Sequence, residues 1–208
     1  MAAARAAWQA EAAGIDPARL IFIDESGFDT RLVRTHARAP RGQRAHGTAP
    51  GGRWQRLTLV GALARHGLCA AMLIAAATDT AMFHAFVVQV LVPALLRTRP
   101  DAVVVMDNLP AHKAACVRMA LDQAGISSRY LPAYSPDMNP IEPAWSKLKT
   151  NLRAIASRRS DCEADGGGAA GGAARTRDAL ERAIPDALKT ITPSDAQGWF
   201  RHAGYAPN

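Results

Sequence analysis

Cysteine is scarce in this chain: Cys69, Cys116 and Cys162 lie far apart in 208 residues and form no C-x-x-C pair. That excludes a disulfide framework and a thiolate zinc site, and it suits a reducing compartment. A secretory leader is also missing, because MAAARAAWQAEAAG at the N-terminus has neither an apolar core nor a cleavage signature. No membrane span is expected either. The longest apolar stretch, about Met82–Leu96, carries His84, Gln89 and a central Pro93, and reads as a packed helix. These absences together predict a cytoplasmic protein with no membrane partner. There is no internal repeat.

Acid is missing from one place in particular. Between Arg31 and Arg65 stand eight arginines (31, 34, 38, 41, 44, 53, 56 and 65) with His36 and His46, and no Asp or Glu. The net charge of +7 and pI near 9.9 suggest a polyanionic partner only weakly, since a basic total has many causes. The clustering says more. A solvated loop in an arginine-rich chain is the plain explanation. Phosphate contact is the better one, with Arg38, Arg41 and Arg44 as DNA-binding candidates.

Hydrophobic residues make up 49% of the chain, enough for one well-packed domain with an appendage. An alanine-rich helix over 2–13 should end at Gly14. LIFID (20–24) reads as a buried strand ending in Asp24. Residues 53–65 and 67–77 flank His66-Gly67 as a hairpin. Thr78-Asp79-Thr80 can cap a helix whose apolar face recurs from Met82 to Leu95 and which Pro93 should kink. AVVVM (102–106) is a strand ending in Asp107. Pro110 suits the first turn of a helix that Gly125 stops. SSRYL (127–131) is a fifth strand, followed by a Pro-rich loop and a helix from about Asn139 to Ala156. The order β-β-β-α-β-α-β-α predicts an α/β fold, a mixed sheet with helices on its faces. Expected boundaries are 1–19 for an N-terminal helix and lead-in, 20–159 for the main domain, 160–175 for a flexible Gly/Ala linker and 176–208 for a helical tail.

Three acids stand out by placement: Asp24 in FIDESG, Asp107 in VVMDN and Glu142 in SPDMNPIEPAW. If the first and fourth strands are neighbours, both aspartates project from one sheet edge. Carboxylates so grouped can hold two divalent cations, Mg2+ or Mn2+, for phosphoryl transfer. Each acid also has an ordinary explanation. D-E-S-G is good turn chemistry, Asp107-Asn108 could begin a helix, and Glu142 could be a capping-box acid with Asn139 as N-cap. Asn108 and His112 are accessory candidates that could face a scissile phosphate, though His112 also suits a helix surface. Lys147 and Lys149 are candidate DNA-backbone contacts, against the usual solvent-facing role of helical lysines. Trp145 reads as core.

FIDESG, VVMDNLPAHK and YLPAYSPDMNPIEPAWSKLK resemble the three acidic motifs of DDE transposases, in the bacterial insertion-sequence branch of the mariner superfamily. The 34 residues between Asp107 and Glu142 resemble that branch's spacing. The likeness runs from about Leu20 to Arg153, and the C-terminal FRHAGY is similar too. It implies a ribonuclease-H-like five-stranded sheet with the first and fourth strands adjacent and Glu142 delivered by the last core helix. Asp24, Asp107 and Glu142 would be both catalytic and metal-binding. It also implies cleavage of DNA at transposon ends and strand transfer to target DNA, with a homodimer as an open option. The chain departs from the pattern in two ways: the Gly/Ala stretch interrupts expected helix, and a helix-turn-helix end-recognition part is expected to be encoded upstream. The alternatives are a non-catalytic DNA-binding remnant and another nuclease on the same fold.

Overall fold

The computed structural model describes residues 1–32, 38–44, 55–162 and 176–206, with only the backbone described for 156–162. A five-stranded sheet in the order β3-β2-β1-β4-β5 organises the chain. Its strands are β1 (Leu20–Asp29), β2 (Arg56–Ala64), β3 (Gly67–Ile74), β4 (Val103–Met106) and β5 (Ser127–Tyr130). The first three strands form an antiparallel meander, whereas β4 and β5 run parallel to β1. This is a mixed sheet of ribonuclease-H-like form, as the motif resemblance implies. Gly67, at φ +121°, makes the tight β2–β3 turn.

Alternation along the strands divides the core into two faces. Ile21, Ile23, Val60, Val104 and Met106 point to one side. There they meet α2 (Thr80–Phe86), α3 (Val92–Thr98) and α4 (Ala115–Gln123). Phe22, Phe28, Leu59 and Val105 point to the other. That side is covered by α1 (Ala2–Ala13), α5 (Glu142–Cys162), α6 (Arg177–Leu188) and α7 (Pro193–His202).

Several boundaries differ from the sequence expectation, each for a local reason. Strand β1 does not stop at Asp24 but continues to Asp29, because β2 pairs with it throughout, from Ile21↔Ala64 to Asp29↔Arg56. The D-E-S-G segment is therefore strand, not turn. Around Pro93 the helix is irregular: a π-helical turn over Val87–Leu91 precedes it and shifts the hydrogen-bond register, Val92 N–H donating to the Val87 carbonyl. The stretch Thr80–Thr98 is long and apolar enough, by length and composition alone, to cross a membrane. In this fold its Phe83, Phe86, Val87, Leu91 and Leu95 are wholly buried. Pro110 lies in a turn, held by Lys113 N–H on the carbonyls of Leu109 and Pro110, and α4 begins only at Ala115. Helix α5 runs on to Cys162, past the boundary expected at 159. Of the Gly/Ala linker expected at 160–175, residues 160–162 belong to α5, and 163–175 lie outside the described residues.

Both ends of the chain close on one face. The Trp8 indole donates to Tyr205 Oη at 2.8 Å, and that hydroxyl donates to the Met138 carbonyl at 2.8 Å. Phe22 packs edge-on against Phe200 and tilted on Tyr205, with ring centroids 5.4 and 4.8 Å apart. The FRHAGY segment thus seals the sheet face beneath α1. Thr192 and Asp195 cap α7 reciprocally. Tyr205→Phe should keep the packing yet strand the Trp8 N–H and the Met138 carbonyl. The expected loss in urea unfolding is about 1–3 kcal/mol for each buried group left unpaired. Wild-type stability in that variant would mean that solvent reaches both groups.

Candidate functional site

Strand β4 pairs with β1 over only three residues, Leu20↔Val103, Ile21↔Val104 and Phe22↔Val105. Two residues further along the same register, Asp24 stands level with Asp107, just past the end of β4. By parity both belong to the face of Phe22 and Val105, the face on which α5 packs. Helix α5 opens with Glu142. Asp107 and Glu142 line one cleft of about 380 Å³, together with Asn108, Leu131 and Tyr134. Asp24 feels the Glu142 charge. The three acids singled out in the sequence therefore converge on one corner of the sheet.

Each acid is held differently. Asp24 is half-buried, and its Oδ2 accepts from Trp145 Nε1 at 3.1 Å. Trp145 is core, as its sequence position suggests, and it also orients a site carboxylate. Its ring needs Gly61, the β2 residue opposite Asp24. A Cβ there would lie 2.5 Å from the Trp145 ring. Burial, then the Glu142 charge, pushes the Asp24 carboxyl up to about 7, against the pull of the Glu25 backbone N–H and the Trp145 indole. Glu142 is not a capping-box acid. The Asn139 N–H that would bind its carboxylate donates instead to the Pro136 carbonyl at 3.0 Å, while Asn139 Oδ1 accepts from Ile141 N–H.

Asp107 accepts from Leu109 N–H on Oδ1 at 3.0 Å, and the same oxygen lies 2.5 Å from His112 Nδ1. That second contact is a close ion pair rather than an aligned hydrogen bond. Partial burial works against the Asp107 charge, but His112 and the Leu109 N–H outweigh it and hold the carboxyl below its usual value. His112 does not lie on a helix surface but in the turn before α4. It is fully buried, tilted 35° against the Phe83 ring at 4.0 Å, with Nε2 3.1 Å from Glu25 Oε1. Burial disfavours the imidazolium, yet the Asp107 and Glu25 carboxylates raise it to about 9. Glu25 is the residue that sequence reasoning missed. Its only signal was the acid next to Asp24, on the opposite sheet face by parity.

The other candidates are placed as follows. Asn108 Nδ2 donates to the Leu131 carbonyl, tying the end of β4 to the Pro-rich loop. Lys147 is paired with Asp195 at 2.6 Å, joining α5 to α7. Lys149 Nζ sits 5.6 Å from the Phe28 ring centroid. Arg38, Arg41 and Arg44 are exposed.

The donor set at this corner suits a hard divalent cation, since all three acids offer oxygen. Among the described residues, no three acidic, His or Cys side chains stand close enough to ligate one ion as they are. The raised Asp24 value reflects burial first and then the nearby Glu142 charge. Asp24, Asp107 and Glu142 are the residues that would hold the ion. A pH effect follows. An unfolded aspartate titrates near ~4 and Asp24 in the fold near about 7, so the folded state binds the extra proton between these values. Its contribution to stability is present below about pH 4 and is lost as pH rises through 7. In chelator, Asp24→Asn should melt above wild type at pH 8, with the gap closing toward pH 4. A variant that melts below wild type at pH 8 would show that the Asp24 charge is compensated.

The comparisons with known proteins agree with this fold. The family model described as DDE superfamily endonuclease matches residues 19–164. No curated protein matches the chain. Among solved structures, the chain is similar to a Mos1 transposase paired-end complex with left transposon end, at TM-score 0.72 and 18% identity, covering 97% of this chain and 57% of that one. It is similar to the Mos1 mariner paired end complex with Mn at TM-score 0.67 and 17% identity, again covering 97% and 57%. The catalytic domain of Mos1 mariner transposase gives TM-score 0.61 at 14% identity, covering 97% and 85%. Such identities speak for the fold alone, and the chain spans little more than half of the full Mos1 chain. The match across residues 19–164 carries the assignment: this chain belongs to the DDE superfamily endonuclease family.

Proposed function

We propose that the chain is the catalytic part of a DNA transposase that cuts phosphodiester bonds at transposon ends and joins the freed 3′-hydroxyl to target DNA. The observation that carries this reading is the level placement of Asp24 on β1 and of Asp107 just past the end of its parallel neighbour β4, on the side of the helix that begins with Glu142. The Mos1 structures in complex with a transposon end and with Mn support it by likeness of fold.

When bound, two divalent cations, Mg2+ or Mn2+, would supply charge that activates the attacking oxygen and stabilises the leaving one. The chain's own residues do the rest. Asp24, Asp107 and Glu142 would hold the ions. Trp145 fixes the Asp24 carboxylate through Oδ2, and Asn108 keeps the cleft wall in place through Leu131. Exposed Arg38, Arg41 and Arg44 take DNA phosphates, which brings the backbone to acids that would otherwise repel it. Cleavage and joining are both in-line displacements at phosphorus, so one constellation serves both. Such work belongs where the DNA is, which in a cell without a nucleus is the cytoplasm. A helix-turn-helix module for end recognition, and a second copy of the chain to pair two ends, complete the reading.

Two experiments test it. With an element-end duplex and an end-recognition module supplied, Asp107→Ala and Glu142→Gln should each lower Mg2+-dependent cleavage by at least about 10²–10³-fold. Folding and metal-free DNA affinity should be little changed. Glutamine is nearly isosteric and tolerated in a first helical turn, so normal cleavage by Glu142→Gln would remove Glu142 from the site. Separately, charge reversal at Arg38, Arg41 and Arg44 should flatten the slope of log affinity against log salt by about one for each phosphate no longer neutralised. An unchanged slope would assign these arginines to a solvated loop.

A further inference from the structure

Asp24 and Glu25 are consecutive residues of β1 and so face opposite sides of the sheet. Asp24 faces the side of α5. Glu25 faces the side of α2 and α4, where its Oε1 meets Nε2 of the buried His112. His112 then reaches past the end of β4, and its Nδ1 meets Oδ1 of Asp107. We propose that Glu25 and His112 are positioning residues that fix the Asp107 carboxylate for metal binding, anchoring one oxygen and presenting the other. The inference rests on the metal-binding role proposed above for Asp107.

The need arises from where Asp107 stands. It lies beyond β4, in a turn with no strand pairing to hold its backbone, and its side chain is 39% exposed. A carboxylate so placed would sample several rotamers, and ordering it at each binding event would weaken the site. Among the described residues, the two groups that restrain it, Leu109 N–H and His112 Nδ1, both meet Oδ1, which leaves Oδ2 to face an ion.

The imidazole is itself over-determined. The Phe83 ring lies along one side at 4.0 Å, Glu25 holds Nε2, and Tyr130 Oη donates to the His112 backbone carbonyl at 3.2 Å. No helix supplies this order, since His112 sits in the turn before α4. A turn is a loose mounting for a buried ring, and these neighbours compensate for it. Carboxylate–histidine pairs behind a metal ligand act in this way elsewhere, and losing the outer partner typically costs about 10–100-fold in metal affinity.

Glu25 is the residue to change, because its side chain is 14% exposed whereas His112 is wholly buried and its loss could disrupt folding. Mn2+ binding to the full chain, followed by electron paramagnetic resonance, should weaken about 10–100-fold in Glu25→Ala. Glu25→Gln keeps an acceptor for His112 and should restore affinity to within a few-fold of wild type. The Mg2+ concentration for half-maximal cleavage should shift in parallel, while melting of the two variants in chelator stays similar. Wild-type Mn2+ affinity in Glu25→Ala overturns the inference and leaves the transposase reading standing. Equal weakening by Ala and Gln also overturns it, because the hydrogen bond would then not be what positions Asp107. If the wild-type chain binds no Mn2+ at all, the metal-dependent reading fails and this inference fails with it.

Discussion

The parallel pairing of β4 with β1 is short, and the geometry of the site depends on that shortness. Three residue pairs are enough to fix register, after which β4 ends and β1 continues alone against β2. The sheet edge therefore steps down between them. At that step Asp24 projects from a strand still held by β2, while Asp107 projects from free chain. Had β4 continued, its ladder would have placed paired backbone and packed side chains at this corner, leaving no opening. The C-terminal end of a parallel strand, where the chain must leave the sheet, is where α/β folds generally expose their chemistry.

Gathering acids at such a step opposes folding, and the surroundings show how that is managed. Asp24 is held by the Glu25 backbone N–H and the Trp145 indole, yet burial and then the Glu142 charge push its carboxyl up to about 7. Asp107 receives the opposite treatment, with a buried imidazole raised to about 9 beside it. One aspartate is thus made hungry for a cation and the other is kept ionised and oriented. The two environments are separated by the sheet itself, because Trp145 lies on one face and His112 on the other. An arrangement that served stability alone would not leave one carboxylate uncompensated over a core this apolar.

Much of this was legible in the chain. The succession of strands and helices and the His66-Gly67 hairpin follow from apolar runs and turn residues, whereas the adjacency of β1 and β4 and the gathering of Asp24, Asp107 and Glu142 are what the motif resemblance implies. Asp79 caps α2 as its position suggests, accepting from Met82 N–H. What escaped was set by pairing across the fold. D-E-S-G looks like a turn until β2 lies beside it. Asn139 and Glu142 have capping-box spacing, but the Pro136–Met138 turn takes the Asn139 N–H first. His112 follows Pro110 and reads as a helix surface, whereas Glu25, distant in sequence, draws it inside. Lys147 looks free on its helix until Asp195 of the tail reaches it. Sequence periodicity reports which face of an element is apolar. It does not report which distant polar group arrives there.

The tail has a part in the site that its distance in sequence conceals. The loop that delivers Glu142 runs from Ser135 to Ile141 and is braced from both chain ends. Arg5 of α1 grips Asp137 with two nitrogens and reaches Ser135 as well. Tyr205 holds the Met138 carbonyl. Beyond Glu142, Lys147 fastens α5 to the capping acid of α7. A Pro-rich loop has few backbone donors of its own and cannot make a regular ladder, so its shape must come from neighbours. Here those neighbours are the first helix and the last residues of the fold, and the position of the third acid depends on both.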